Sequence, residues 1–124
     1  MQTILLIEDD HDTRVALRQN LEAEGYFVFT AANGRDGIAA LRRLDPLPGL
    51  IILDMIMPLM SGQEFLDAIS SLPGSSGVPV LVISAHETDL PKGASVLLKK
   101  PFDLARLLGE VRRLLGGIGG NDPQ

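Results

Sequence analysis

Apolar residues fall along the chain in short uninterrupted runs: Ile4-Leu5-Leu6-Ile7, Phe27-Val28-Phe29, Leu50-Ile51-Ile52-Leu53, Val80-Leu81-Val82-Ile83 and Val96-Leu97-Leu98. None alternates with polar residues, so each run reads as a strand buried on both faces, as in a parallel sheet. The stretches between them have a helical period instead. His11 to Glu24 sets Leu17 and Leu21 four apart and stops at Gly25. Asn33 to Leu44 carries Ile38, Leu41 and Leu44 and is halted by Pro46, and Ser61 to Leu72 carries Phe65, Leu66, Ile69 and Leu72 before Pro73-Gly74. In the last stretch Leu104, Leu107, Leu108, Val111, Leu114 and Leu115 form a continuous stripe, with Asp103 placed to cap it. Strand and helix alternate, which predicts an α/β sandwich with helices on both faces of the sheet.

One interval is too short for this rhythm. Only Ala85 to Gly93, reading AHETDLPKG, separates the fourth run from the segment leading into the fifth, and it contains Pro91 and Gly93. A parallel crossover with its helix needs about a dozen residues or more. The fourth crossover is therefore predicted to hold at most one helical turn.

Composition changes this picture little but excludes much. The 124 residues, 45% hydrophobic and 22% charged, suit one globular domain over residues 1–115, followed by a flexible glycine-rich tail over 116–124. No apolar run approaches the roughly 20 residues that span a bilayer, and Met1-Gln2-Thr3 has no basic signal-peptide start. A cytoplasmic location without membrane attachment is expected. The formal net charge of −5 argues against direct nucleic-acid binding, which needs Lys and Arg to neutralise phosphates. With no cysteine present, disulfides and thiolate metal sites are excluded.

In an open α/β sheet, ligands gather outside the carboxyl ends of the strands. The polar residues that follow the runs are Glu8-Asp9-Asp10 after the first, Asp54 after the third, Ser84 after the fourth and Lys99-Lys100 after the fifth. Carboxylates brought together repel, so one must hold a proton or a cation must bind. Oxygen ligands in a partly open site suit magnesium, which bridges carboxylates to phosphate. A lysine opposite would complete a clamp on a phosphoryl group, and a carboxylate such as Asp54 can itself act as the nucleophile.

Glu8-Asp9, the string Asp54-Met55-Ile56-Met57-Pro58-Leu59-Met60-Ser61-Gly62, Ser84-Ala85 and Lys100-Pro101-Phe102 together resemble the receiver domain of two-component response regulators, over residues 3 to about 115. The resemblance implies a CheY-like, flavodoxin-like, three-layer doubly wound fold with a five-stranded parallel sheet in the order 2-1-3-4-5, its fourth helix here short or absent. It implies that Asp54 accepts a phosphoryl group from a sensor histidine kinase or a histidine phosphotransfer protein. Magnesium would be held by Asp9 and Asp54, by Glu8 through water and by the main-chain carbonyl of Ile56. Ser84 would hydrogen-bond the phosphoryl group, Lys100 would pair with it, and the Lys100-Pro101 bond would be cis. His86 lies two residues after Ser84, where a side chain overhangs the site in this family; with Ala85 it is a candidate modulator of the loop.

Simpler readings stand beside these. Asp54 alone could be a turn residue or helix cap, Asp10 and Asp12 fit the cap and first turn of the first helix, Lys99 fits a solvated charge, and Met55, Met57 and Met60 fit packing. His11 and His86 could be inert exposed residues. The chain also departs from the family pattern: its fourth crossover is shortened, and Leu97 stands where an aromatic residue is common. Signal output through an unknown partner is therefore expected to use a reshaped Ala85 to Gly93 loop, unless the domain serves as a relay station or phosphate sink. A dehalogenase-type phosphohydrolase needs a second Asp where Ile56 stands, and a flavodoxin-type phosphate loop is opposed by Glu8-Asp9-Asp10. The remaining alternative is a pseudo-receiver, a protein interaction module that works without phosphorylation.

Overall fold

The structure is a computed structural model and describes residues 2–116. Apart from Gly116, the tail expected over 116–124 lies outside the described residues. The strands are β1 (Thr3–Ile7), β2 (Phe27–Ala31), β3 (Leu50–Asp54), β4 (Val80–Ser84) and β5 (Val96–Lys99). The helices are α1 (His11–Ala23), α2 (Gly34–Arg43), α3 (Gly62–Ile69) and α4 (Leu104–Val111), the last running into a π-helical turn over Arg112–Gly116. All four strand pairings are parallel, and the sheet order is β2-β1-β3-β4-β5.

Burial explains why the strands read as apolar runs. Leu50, Ile51, Ile52 and Leu53 are fully buried because β3 lies at the centre with helices above and below. Alternate residues feed two cores. Ile4, Leu6, Leu50, Ile52, Leu81 and Ile83 pack with Leu17 and Leu21 of α1 and Leu107 and Val111 of α4. Leu5, Ile7, Ile51, Leu53, Val80 and Val82 pack with Ile38 and Leu41 of α2 and Phe65, Leu66 and Ile69 of α3. Close approach on this second face requires Gly37, where a Cβ would stand 2.6 Å from Ile7 Cδ1 and 3.1 Å from Phe65.

The ends of the helices follow their local chemistry. Asp10 caps α1 by accepting from the Thr13 N–H, and Asn33 caps α2 through Asp36 N–H. Gly25, at φ 99°, takes the left-handed turn that closes α1, its N–H donating to Glu22 O at 3.0 Å. Helix α3 stops at Ile69, short of the Leu72 suggested by its apolar period. Ser71 and Leu72 N–H turn to tighter i−3 carbonyls, and the buried Ser75 hydroxyl donates to Ile69 O and Leu72 O. Leu72 keeps its place against the core in that turn.

Between β4 and β5 no helix forms, as the length of the interval requires. Residues 85–95 cross as bends and turns, tied by Ala94 N–H to Pro91 O and Ser95 N–H to Val80 O. The register nevertheless sets Asp54 beside Ile83 and Ser84 beside Lys99, so the polar strand ends are level.

Candidate functional site

The carboxyl edge of the sheet brings Glu8, Asp9 and Asp54 together. One carboxylate oxygen from each lies within 4.8 Å of the others. Asp54 ends the central strand, 7% exposed, and its Oδ1 accepts from the Ile56 N–H at 3.2 Å. Its Oδ2 faces Lys100 Nζ at 4.0 Å. Lys100 is placed by its own N–H, which donates to Ser84 O at 3.0 Å, and the Lys100-Pro101 bond is cis, as the resemblance implied. A second cis bond, Asp45-Pro46, has no counterpart in that expectation.

Glu8 is the most confined acid. It is 2% exposed; Oε2 accepts from the Asp10 N–H at 3.1 Å, while the buried Oε1 has no partner. Burial pushes its pKa from the ordinary 4.5 up to about 7; the Asp10 N–H eases this, and the neighbouring Asp54 carboxylate adds to it. Asp9, the next residue, is exposed. Asp10 turns away to its capping role, and the Thr13 hydroxyl and N–H at 2.6 and 2.9 Å lower its pKa. The acidic triplet thus divides its work: two carboxylates face the cluster and one serves the helix.

Ser84 and Lys100 reach the cluster's rim differently. Ser84 is buried, and its hydroxyl oxygen accepts from the N–H groups of His86 and Glu87 at 3.1 and 3.2 Å. It donates to no group among the described residues, so its proton is free for an acceptor in the cleft. Ala85 and His86 are exposed at the head of the crossover loop, and Lys99 is exposed with no ion pair among the described residues.

The loop after Asp54 is shaped by α3. Ser61 and Glu64 form a reciprocal capping box, and a Cβ on Gly62 would stand 2.7 Å from Met55 Cα. Only glycine lets the start of α3 lie on the strand end. Met55 is buried, Met57 and Met60 are half-buried against the core, and Leu59 holds φ 71°. Pattern alone does not single out Arg14, whose guanidinium bonds the main chain of the acidic turn. Three clustered carboxylates, one with a buried unpaired oxygen, offer the hard oxygen donors and uncompensated charge that suit a divalent cation such as magnesium.

Comparison with known proteins agrees with this arrangement. The sequence profile described as "Response regulator receiver domain" matches residues 4–112. The chain belongs to that family. Receiver domains are phosphoacceptors of two-component signalling, they generally bind magnesium at an acidic pocket, and they act with histidine kinases or phosphotransfer proteins. This receiver is 36% identical to the transcriptional regulatory protein PcoR of Escherichia coli over 121 residues, 93% of the chain and 52% of PcoR. It spans about half the length of most of the curated relatives it matches. Among solved structures, the chemotaxis response regulator CheY4 of Vibrio cholerae superposes with a TM-score of 0.84 at 32% identity, covering 93% of this chain and 99% of CheY4. The receiver domain of the sensor histidine kinase PA1611 from Pseudomonas aeruginosa superposes with a TM-score of 0.84 at 25% identity, over 93% and 98% of the two chains, and holds a magnesium ion in its active-site cleft. Among the described residues no helix is long and apolar enough to cross a membrane.

Proposed function

We propose that Asp54 is the phosphoacceptor, taking the phosphoryl group from the phosphohistidine of a sensor histidine kinase or histidine phosphotransfer protein. The observation that carries this reading is the meeting of Asp54 Oδ2 and Lys100 Nζ at 4.0 Å beside an acidic cluster containing the unpaired Glu8 Oε1. A carboxylate oxygen of Asp54 forms the new bond to phosphorus as the phosphorus–nitrogen bond of the donor breaks. The electron pair returns to the imidazole ring, and the product is an acyl phosphate.

Lys100 pairs with the phosphoryl oxygens and holds them against the strand end. The Ser84 proton, free of other acceptors, donates to one of those oxygens. Glu8, Asp9, Asp54 and the main-chain carbonyl of Ile56 would hold magnesium. When bound, magnesium offsets the charge that the carboxylates and phosphoryl oxygens crowd together. Ala85 and His86 flank the cleft on the shortened crossover, where His86 shields the acyl phosphate from water.

The domain is assigned to residues 1–115 of a cytoplasmic chain that binds neither nucleic acid nor membrane itself, in keeping with its net charge of −5. Its output partner engages the reshaped loop. Incubation with magnesium and acetyl phosphate should add one phosphoryl group to the parent and none to Asp54→Asn, as read by intact-mass spectrometry. No adduct on the parent would favour the phosphorylation-independent interaction module instead.

A further inference from the structure

Helix α1 carries a cation where its own dipole disfavours one. Arg14 sits in the first turn, behind the Asp10 cap, at the end where the unpaired N–H groups concentrate positive charge. Among the described residues Arg14 forms no ion pair with an acid. Its side chain folds back over the turn between β1 and α1. Nη1 donates to the main-chain oxygen of Glu8 at 2.8 Å and to that of Asp9 at 3.3 Å, while Nη2 lies 3.3 Å from His11 Nδ1. Arginine has no acceptor, so His11 presents a lone pair at that contact.

Neither carbonyl accepts from any other group among the described residues. The residues before and after are already fixed: Glu8 N–H donates to Ala31 O at 3.0 Å, and Arg14 N–H to Asp10 O at 2.9 Å. What remains is the orientation of two peptide planes, the second of them also engaged by the Asp10 N–H, which donates to Glu8 Oε2 at 3.1 Å. Those planes decide where the Glu8 and Asp9 side chains leave the backbone.

We infer that Arg14 is a positioning residue, whose forked guanidinium locks the two peptide planes that aim the Glu8 and Asp9 carboxylates into the acidic cluster. The inference rests on the reading of that cluster as the magnesium site. It also makes a prediction of sign. If Arg14 acted only as a nearby positive charge, removing it would strengthen the binding of a divalent cation. If it acts by orienting the ligands, removing it weakens binding despite the lost repulsion.

The test is magnesium titration by isothermal calorimetry on the full chain, comparing the parent, Arg14→Met and Arg14→Lys. Methionine keeps much of the side chain's apolar stem without charge or donors; lysine keeps the charge but loses the fork. The expected result is a loss of about tenfold in affinity for methionine, as is typical when a group that orients a metal ligand is removed. Lysine should lose less. Phosphorylation by acetyl phosphate should need correspondingly more magnesium and recover the parent rate at saturation, since Arg14 touches no reacting atom. Binding by Arg14→Met as tight as the parent's, or tighter, would overturn the inference while leaving the site reading intact. A parent that binds no magnesium would remove both. Should Arg14→Met not fold, Arg14→Lys decides alone: affinity equal to the parent's overturns the inference.

Discussion

Replacing Glu8 by glutamine should stabilise the magnesium-free fold, and more at pH 8 than at pH 5. In the folded chain the Glu8 carboxyl titrates near 7, against an ordinary value of 4.5, because it is buried beside Asp54 with one oxygen unpaired. Below 4.5 both folded and unfolded chains hold the proton, and the site costs nothing on this account. As pH rises from 4.5 to 7 the unfolded chain releases the proton first, so stability falls by up to about 1.4 kcal/mol per pH unit. Above 7 both forms are ionised and the full cost of about 3 kcal/mol remains. Glutamine has nearly the same shape, carries no charge and can donate to the Asp54 carboxylate. Urea denaturation in the presence of a chelator should give a variant more stable than the parent by about 2 kcal/mol at pH 8, allowing for imperfect amide pairing. The advantage should shrink towards pH 5. An advantage that does not change between the two pH values, or a less stable variant at pH 8, would refute the reasoning.

Two further outcomes follow from contacts around the cleft. Gly62→Ala should cost about 2–3 kcal/mol in urea denaturation and more than Gly37→Ala; the new methyl meets the Met55 backbone in the first case and the flexible end of Ile7 in the second. His86→Ala should shorten the lifetime of the acyl phosphate, followed by loss of the intact-mass adduct; equal lifetimes would remove His86 as a shield.

Much of the fold could be read from the chain because its signals are local. The buried strands need apolar residues on both faces, and Gly25 and Asp103 end and begin helices by their own chemistry. That the crossover from β4 to β5 has no room for a full helix follows from counting residues. Helix α3 was harder, because Leu72 keeps the apolar period after the backbone has left the helix; the deciding group is Ser75, whose hydroxyl takes the last carbonyls. At the site, sheet topology makes the strand-end acids converge whatever their detailed geometry. Spacing cannot tell that Glu8 is buried while Asp9 is exposed, or that the Ser84 oxygen is engaged by two loop N–H groups. Arg14 escaped because the partners that matter here are the main-chain oxygens of Glu8 and Asp9, which leave no trace in residue types.

The crossover between β4 and β5 has an energetic consequence. Thr88, Asp89 and Leu90 take part in no hydrogen bond among the described residues, and the head of the loop is tethered to Ser84 through His86 and Glu87. Two such bonds contribute about 2 kcal/mol together. A packed helix moves as one body and must break its contacts all at once. Two such bonds are a small hold by comparison, so a group that engages the Ser84 hydroxyl has little to overcome in shifting the head of the loop.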